Sequence, residues 1–185
     1  TLDYSLKGKM VRLATEQYPI PTVPDEWSAG YAYTHTSQPY LVQAQWDANP
    51  IGDLYIISLK DGSSRLLAKG SYVFGMHTSP SGDYLVWFNP EDNQYYSMDM
   101  SAVNKGEDID AEIKPVNISK GIPHPLWKES HDKPQMAGPY GNGGWSEDEK
   151  MFYIYDKYDV WAVDPKGERA PEMLTQGLGR EKEYT

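Results

Sequence analysis

Residues 72–100 read YVFGMHT, SPSG, DYLVWF, NPEDN and QYYSMDM. Three runs rich in aromatic and β-branched residues are separated here by two turn segments, a pattern typical of antiparallel strands. Pro80 presets φ for the first turn, and Gly82 can take a positive φ without a Cβ clash. After a charged loop at 104–112, KPVNIS at 114–119 supplies a fourth strand. The stretch therefore predicts a four-stranded antiparallel unit.

Similar units lie on both sides of this stretch. Downstream, residues 141–175 contain GNGGW, SEDEK, MFYIY, DKYDVWAVD, the turn PKG and PEMLT. Upstream, GDLYIISLKDG at 52–62 and SRLLA at 64–68 follow two candidate strands, YAYTH at 31–35 and YLVQAQW at 40–46. Helix signals are nearly missing, because Gly or Pro interrupts almost every window. The chain is therefore predicted to be all-β.

The three units align with one another. The positions Asp53, Leu54, Tyr55 and Ile57 match Asp159, Val160, Trp161 and Val163, with Tyr96 and Met98 at the aromatic and apolar positions. Tyr55 and Tyr96 are 41 residues apart, within the ~40 to 50 residues of a propeller blade. The longer spacing from Tyr96 to Trp161 is attributed to insertions at 104–112 and 120–140. This self-similarity predicts a repeat architecture.

The predicted fold is a β-propeller segment of about three to four four-stranded antiparallel blades. Approximate blades are 29–68, 72–119 and 140–175, with 1–28 as an irregular or partial blade. A ring closes with ~4 to 8 blades, so this ring is incomplete. The chain is interpreted as a fragment, in which REKEYT at 180–185 begins another strand. The alternatives are assembly from several copies through open blade edges and a further blade hidden near the N-terminus.

Composition limits the partners. Hydrophobic residues make up 39% and charged residues 24% of the chain, as in globular proteins. The formal net charge of -10 would repel phosphate backbones, so nucleic acid is not an expected partner. The sequence has no cysteine, which excludes disulfides and thiolate metal sites. No apolar run approaches the ~20 residues of a membrane span.

The stretch SPSGDYLVWF at 79–88 and the run from Gly121 to Gly179 are the most distinctive parts of the chain. The run contains GIPHPLW, the HDKP loop, PYGNGGWSEDEK, YIYDKYDVWAVDPKGERAPEMLT and the start of GLGR, in that order. Both stretches resemble the β-propeller domain of prolyl oligopeptidase family serine peptidases, particularly large bacterial members of the acylaminoacyl-peptidase or dipeptidyl peptidase type. The first stretch is similar to the repeated SPDGK motif of these and of TolB-type propellers.

The resemblance implies a role in peptide access. In that family the propeller lies over an α/β-hydrolase domain and restricts which peptides reach the serine. The implied partners are therefore the hydrolase domain of a parent chain and its peptide substrates, in the periplasm or outside the cell. No GxSxG nucleophile elbow occurs in the sequence, so no catalytic, cofactor-binding or metal-binding residue is predicted. The alternative function is a TolB-like protein–protein interaction module. A propeller glycosidase is disfavoured by the apolar inner strands.

The histidines are not predicted to form a site. His124, His131 and Asp132 are of types that bind zinc, but their spacing in a Pro-rich loop matches no ligand pattern. A surface loop is the preferred interpretation. His35 and His77 fall at strand ends, where an imidazole is usually exposed or hydrogen-bonded.

Two groups of carboxylates are given structural roles. Glu147, Asp148 and Glu149 are predicted to form a solvated turn, because paired-carboxylate catalysis needs two groups that face one substrate. Asp156 and Asp159 flank a tight turn and are predicted to accept backbone N–H bonds.

Glycine and aromatic residues are assigned mainly to packing. Gly141, Gly143 and Gly144 lack the Lys and helix of a phosphate loop and are predicted to allow close approach. The positions predicted to lie in the core between blades are Trp87, Tyr96, Trp145 and Trp161. Trp46 and Trp127 lie in less regular segments and are predicted to be exposed contacts. Asn117 begins a glycosylation sequon of a length that is common by chance.

Overall fold

The chain folds into three antiparallel sheets. The structure, a computed structural model, describes residues 10–24, 29–49, 51–106, 109–110 and 112–184. Sheet 1 contains β1 (Tyr31–Thr36), β2 (Ile51–Ser58) and β3 (Ser64–Tyr72). Sheet 2 contains β4 (Phe74–Thr78), β5 (Tyr84–Asn89), β6 (Gln94–Asp99) and β7 (Val116–Asn117), and sheet 3 contains β8 (Asn142–Trp145), β9 (Phe152–Tyr155), β10 (Val160–Val163) and β11 (Glu172–Met173). Strands adjacent in the chain are adjacent in each sheet, which confirms the all-β prediction.

Helical structure is confined to short segments of the described chain. The α-helices α1 (Ser101–Asn104) and α2 (Leu178–Glu181) have four residues each. Two 3₁₀ helices span Gln38–Tyr40 and Gln43–Gln45. None of the helices in the described ranges is long and apolar enough to cross a membrane.

Two predicted strands are wrong. YLVQAQW at 40–46 lies in the connection between β1 and β2 and contains 3₁₀ turns. Since β1 pairs directly with β2 and β2 with β3, this segment has no place in sheet 1. The described part of REKEYT, residues 180–184, begins inside α2 and then turns, because Gly177 at φ 77° redirects the chain into a helix.

An additional segment lies along the outer side of β1. Thr22 donates its N–H to the Tyr33 carbonyl at 2.7 Å and accepts the Tyr33 N–H at 2.8 Å. This antiparallel bridge adds a fourth extended segment to sheet 1 at the edge away from β2. Thr22 therefore occupies in sheet 1 the edge position that β4 and β8 occupy in sheets 2 and 3.

The three sheets pack through apolar residues on their faces. Strand residues alternate between faces, so a strand buried on both sides is apolar throughout. In β5, Leu85 and Trp87 pack against sheet 1, while Val86 and Phe88 pack against sheet 3. The first cluster, between sheets 1 and 2, also contains Tyr31, Tyr33, Leu54, Ile56, Met98 and Met100. The second, between sheets 2 and 3, also contains Tyr95, Ile118, Leu126, Phe152, Ile154, Trp161 and Val163.

Sheet 1 is also covered on its other face. Ala32, Tyr55 and Ile57 pack there with Tyr18, against the partly buried Leu13 and Val23. The Tyr18 hydroxyl donates to Ser64 Oγ at 3.0 Å. The segment before β1 therefore closes the first face of the stack.

Each sheet has a side-chain acceptor near the start of β2, β6 or β10 that binds the outer part of the sheet, although the donor groups differ. Asp53 accepts the Gly70 N–H at 2.8 Å, Gln94 Oε1 accepts the Ser119 hydroxyl at 2.8 Å, and Asp159 accepts the Thr175 hydroxyl at 2.7 Å. The three acceptors occupy aligned positions, two residues before Tyr55, Tyr96 and Trp161. In each case the donor lies in the outer strand of the sheet or just after it, so the hydrogen bond holds that part of the chain in place. The three aligned positions therefore each hold a hydrogen-bond acceptor for the outer part of their sheet.

Candidate functional site

Two similar turns lie at one end of sheets 2 and 3. In the turn after β4, Ser79 donates its N–H to the Tyr84 carbonyl at 2.9 Å, and Ser79 Oγ accepts the Tyr84 N–H at 3.1 Å. In the turn after β8, Ser146 and Met151 make the same two contacts at 2.9 and 3.0 Å. A serine hydroxyl that accepts a backbone N–H closes both turns, as expected for this residue type.

Glu149 joins the two turns. Its carboxylate accepts the Ser81 N–H at 3.0 Å and the Ser81 hydroxyl at 2.6 Å. Glu149 itself has φ 55°, in the left-handed region, which aims its side chain across to sheet 2. The predicted solvated turn therefore holds for the exposed Glu147 and Asp148 but is wrong for Glu149.

A groove of about 520 Å³ lies beside these turns; we call it the turn groove. It is bounded by residues 81–84, 148–150 and 164–169. Its charged lining residues are Asp83, Asp148, Glu149, Asp164, Glu168, Lys150, Lys166 and Arg169. Both signs of charge line the turn groove.

Hydrogen bonds within the protein occupy the main carboxylates of the turn groove. Buried Asp164 accepts the Lys166 N–H at 3.0 Å and the Arg169 N–H at 3.2 Å, and Arg169 Nε lies 3.4 Å away. A hydrogen bond from the Lys150 ammonium, with others from Ser146 and the Lys150 N–H, lowers the pKa of Asp148 to about 2. These contacts hold turns in place, and none forms the facing carboxyl pair that acid–base catalysis requires.

Tyr84 lies at the base of the turn groove. Its ring stacks on Trp145, with 6.0 Å between ring centroids. Burial raises the pKa of Tyr84, and the nearby charges of Asp99 and Asp83 raise it further. The phenol therefore stays protonated at neutral pH and is not a nucleophile.

A second, smaller cavity lies where the first strands of the three sheets approach one another; we call it the inner cavity. Its volume is about 150 Å³, and its lining includes Thr22 and Tyr33 of sheet 1, His77 and Thr78 of sheet 2, and Gly144 and Trp145 of sheet 3. Within the described ranges, no residue that lines it carries a formal charge, apart from the titratable His77. The inner cavity thus differs in character from the turn groove.

His77 links sheets 2 and 3 at this cavity. Its Nε2 lies 2.9 Å from Asn142 Nδ2, and Asn142 Oδ1 accepts the Gly144 N–H at 3.2 Å. Because the amide oxygen is used by Gly144, the amide nitrogen is the group that donates to His77. Burial lowers the pKa of His77, in agreement with a neutral acceptor ring.

The other histidines do not converge. His35 Nε2 lies 3.0 Å from the Ser71 carbonyl, and burial lowers the pKa of His35. The His124 ring packs near Trp161, with 6.3 Å between centroids. The His131 N–H donates to the Lys128 carbonyl at 3.1 Å within a turn. Among the described residues there is no cluster of three His, Asp or Glu side chains that could hold a metal ion.

The prediction that these carboxylates accept backbone N–H bonds at the β9–β10 turn is confirmed for Asp156 and is wrong for Asp159, whose carboxylate accepts the Thr175 hydroxyl instead. Asp156 Oδ1 accepts the Tyr158 and Asp159 N–H groups at 2.7 and 2.9 Å. Its other oxygen accepts the Trp161 indole N–H and an Arg180 N–H, each at 3.0 Å. Arg180 also lies 3.5 Å from Asp159. The turn, the central strand and α2 are therefore joined by one buried carboxylate.

The aromatic predictions are confirmed with one exception. Trp87 and Trp161 are buried in the two clusters, and Tyr96 and Trp145 are partly buried against them. Trp46 is 73% exposed. Trp127, which was expected to be exposed, instead packs against the cluster between sheets 2 and 3.

The close approach predicted for Gly141, Gly143 and Gly144 is found at Gly143 only, because a Cβ at Gly144 would have nothing within 4 Å and one at Gly141 would make an ordinary contact at 3.6 Å. A Cβ on Gly143 would lie 2.7 Å from the Tyr155 hydroxyl. Gly141 and Gly144 have φ 132° and 81°, which side chains disfavour. Asn117 of the sequon uses its side-chain oxygen to accept the Ser119 N–H at 3.1 Å.

Sequence reasoning missed several polar residues that hold the sheets together. They are Ser81 with Glu149, the buried Asp53 with the Tyr40 hydroxyl at 2.7 Å, the buried Asp164, and Arg180. The alignment of Asp53 with Asp159 was the one available signal, because an acidic residue recurs there in an otherwise apolar strand. The contacts of Glu149 and Arg180 are between distant segments and leave no local pattern.

Comparison with known proteins does not place the chain in a family. No protein-family model matches it, and no curated protein matches it significantly.

Proposed function

We propose that the chain is a run of consecutive blades of a β-propeller that gates peptide access in a serine peptidase of the prolyl oligopeptidase family. It contributes no catalytic group. The observation that carries the proposal is the stacking of three four-segment antiparallel sheets, each in chain order from one edge to the other. Blades stack in this way because a single sheet cannot hide both of its faces.

The repeated polar contact supports equivalence of the sheets. Asp53, Gln94 and Asp159 each begin the central strand and each bind the outer part of the same sheet. The donors differ, but the acceptor lies at the same aligned position in all three sheets. A repeated structural unit is the simplest explanation.

The far face of sheet 3 supports a continued stack. Tyr153, Tyr155 and Val160 point away from sheet 2 and belong to none of the apolar clusters of the described residues. The matching faces of sheets 1 and 2 are covered by the sheet that follows each of them. A further blade would therefore cover Tyr153, Tyr155 and Val160.

The peptidase part of the proposal rests on the resemblance of residues 79–88 and 121–179. It can be tested with a fluorophosphonate probe that labels activated serines. Residues 1–185 should remain unlabelled and should not hydrolyse chromogenic peptides. The polypeptide encoded by the whole reading frame should be labelled at a serine outside this range, within a GxSxG elbow. Labelling inside residues 1–185, or of no serine in the whole polypeptide, would refute the proposal.

A second candidate is a TolB-like interaction module, which one observation favours. Leu41, Val42 and Trp46 are exposed at 55%, 68% and 73% in the β1–β2 connection, and no residue from 37 to 46 is charged. Exposed apolar groups that cluster mark protein contacts. Two results together would support this candidate. The polypeptide encoded by the whole reading frame should contain no labelled serine, and it should co-purify with one protein partner in a fixed ratio. The Trp46→Ser variant should no longer bind that partner.

A further inference from the structure

The inner cavity is formed by the edges of three sheets. The edge segments of the three sheets are the one that contains Thr22, β4 and β8. Thr22 lines the cavity from sheet 1, His77 and Thr78 line it from β4, and Gly144 lines it from β8. The bond between His77 and Asn142 holds β4 and β8 together beside it. The cavity is thus bounded by the edges of all three sheets.

The edges of β4 and β8 offer backbone groups to a ligand. Each strand pairs with a neighbour on one side only, β4 with β5 and β8 with β9. No backbone–backbone bond from β4 or β8 to another segment is found within the described ranges. Gly75 in β4 and Gly143 in β8 are exposed and carry no side chain to shield these edges. The Gly144 N–H is already accepted by Asn142 Oδ1, at 3.2 Å. The remaining N–H and C=O groups along such a strand edge are the complement of an extended peptide.

The side chains of the inner cavity restrict what that peptide carries. Thr22 and Thr78 offer hydroxyls, and Trp145 and Phe152 offer apolar surface. Apart from the titratable His77, none of the described residues that line the cavity carries a formal charge. A charged side chain placed there would lose its hydration without gaining an ion pair. A space of about 150 Å³, lined by hydroxyl as well as aromatic groups, accommodates one small side chain. A neutral side chain of up to this size fits both the volume and the chemistry.

We propose that the inner cavity binds an extended peptide, whose backbone lies along the β4 and β8 edges and whose neutral side chain enters the space between Thr22, Thr78 and Trp145. The inference rests on the proposed function, which identifies the bound peptide as a substrate on its way to the peptidase active site. Beyond that function, it names the residues that bind the peptide and the kind of side chain that the cavity accepts.

The experiment uses fluorescent peptides that are acetylated and amidated at their ends, with sequence Gly-Gly-X-Gly-Gly. X is Val, Glu or Lys, and binding to the chain is measured by anisotropy and by amide shifts of Gly144 and His77 in NMR spectra. We expect the Val peptide to bind at least tenfold more tightly than the Glu and Lys peptides. Its shifts should map to Thr78 and Gly144.

The blocking variant is Thr22→Trp, because Thr22 is exposed and pairs through its backbone, so a larger side chain fills the cavity without entering the core. Binding of the Val peptide should fall at least tenfold. The matched control, Gln45→Trp, adds the same ring at an exposed position far from the cavity lining and should bind normally. Absence of binding by the unmodified chain, equal binding of the three peptides, or undiminished binding by Thr22→Trp would each overturn the inference. None of these results would alter the outcome of serine labelling, which tests the proposed function separately.

Discussion

Replacement of Asp156 tests how the third sheet is held together. The Asp156 side chain is fully buried and accepts four hydrogen bonds, from the backbone of Tyr158 and Asp159, the Trp161 indole and Arg180. Asp156→Ala removes all four acceptor contacts at once. The Trp161 N–H is then left buried without a partner, and Arg180 keeps only its longer contact with Asp159.

The size of the effect follows from these contacts. A buried donor left unpaired costs about 1 to 3 kcal/mol, and loss of one partner of a buried ion pair costs about 3 to 5 kcal/mol. Arg180 is 38% exposed and can recover hydration, which favours the lower end. We expect Asp156→Ala to lower the free energy of unfolding by about 3 kcal/mol, equivalent to a fall in Tm of roughly 6 to 12 °C.

Urea unfolding followed by tryptophan fluorescence measures this change. Asp148→Ala is the matched control, because Asp148 also accepts turn and lysine hydrogen bonds but is exposed, and it should unfold like the unmodified protein. Equal stability of Asp156→Ala and the unmodified protein would refute the reasoning.

The pH dependence provides a second check on Asp156. Burial would raise the pKa of Asp156, but hydrogen bonds from the Tyr158 and Asp159 N–H groups and the Trp161 indole, with the Arg180 charge, outweigh it and lower the pKa below 3.8. A lowered carboxyl pKa stabilises the fold above the unfolded value and loses that effect as the pH falls through the folded value. The difference in free energy of unfolding between the unmodified protein and Asp156→Asn should therefore become smaller below about pH 4.

Three further outcomes are expected. Glu149→Ala should lower the free energy of unfolding by about 1 to 2 kcal/mol, because the hydrogen bonds from the Ser81 N–H and hydroxyl to its carboxylate are lost. Glu147→Ala is the control and should leave the urea midpoint unchanged. Ile154→Ala should cost about 2 to 5 kcal/mol, since Ile154 is fully buried between sheets 2 and 3; a loss below 1 kcal/mol would contradict that packing. Burial lowers the His77 pKa below 6.5, so the unfolded chain takes up the proton first and stability should fall as the pH drops below that value. Calorimetry from pH 8 to 5 should show a shallower fall for His77→Gln, and an unchanged slope would show that His77 does not titrate as described.

Local patterns predicted most of the strands. The runs at 84–89 and 94–99 are apolar or aromatic on both faces and are bounded by turn residues, so their length and type can be read directly. These features depend on neighbouring residues in the chain, which is why sequence alone was sufficient.

Non-local contacts account for what the sequence did not predict. YLVQAQW at 40–46 has the composition of a strand, but pairing between β1 and β2 leaves it no partner. Trp127 is partly buried because it packs against the apolar cluster between sheets 2 and 3, which is formed by other segments of the chain. The Glu149 contact with Ser81 spans 68 residues, and the inner cavity draws residues from three sheets. No local pattern specifies such contacts.

The stacking of these sheets as consecutive propeller blades is tested most directly by an experimental structure of the polypeptide that the whole reading frame encodes. The expected result is a further four-stranded antiparallel sheet packed on Tyr153, Tyr155 and Val160, with its first strand beside β8 at a common axis. A structure in which that face of sheet 3 is bare, or is covered by a helix or by a separate domain, would contradict the proposed propeller.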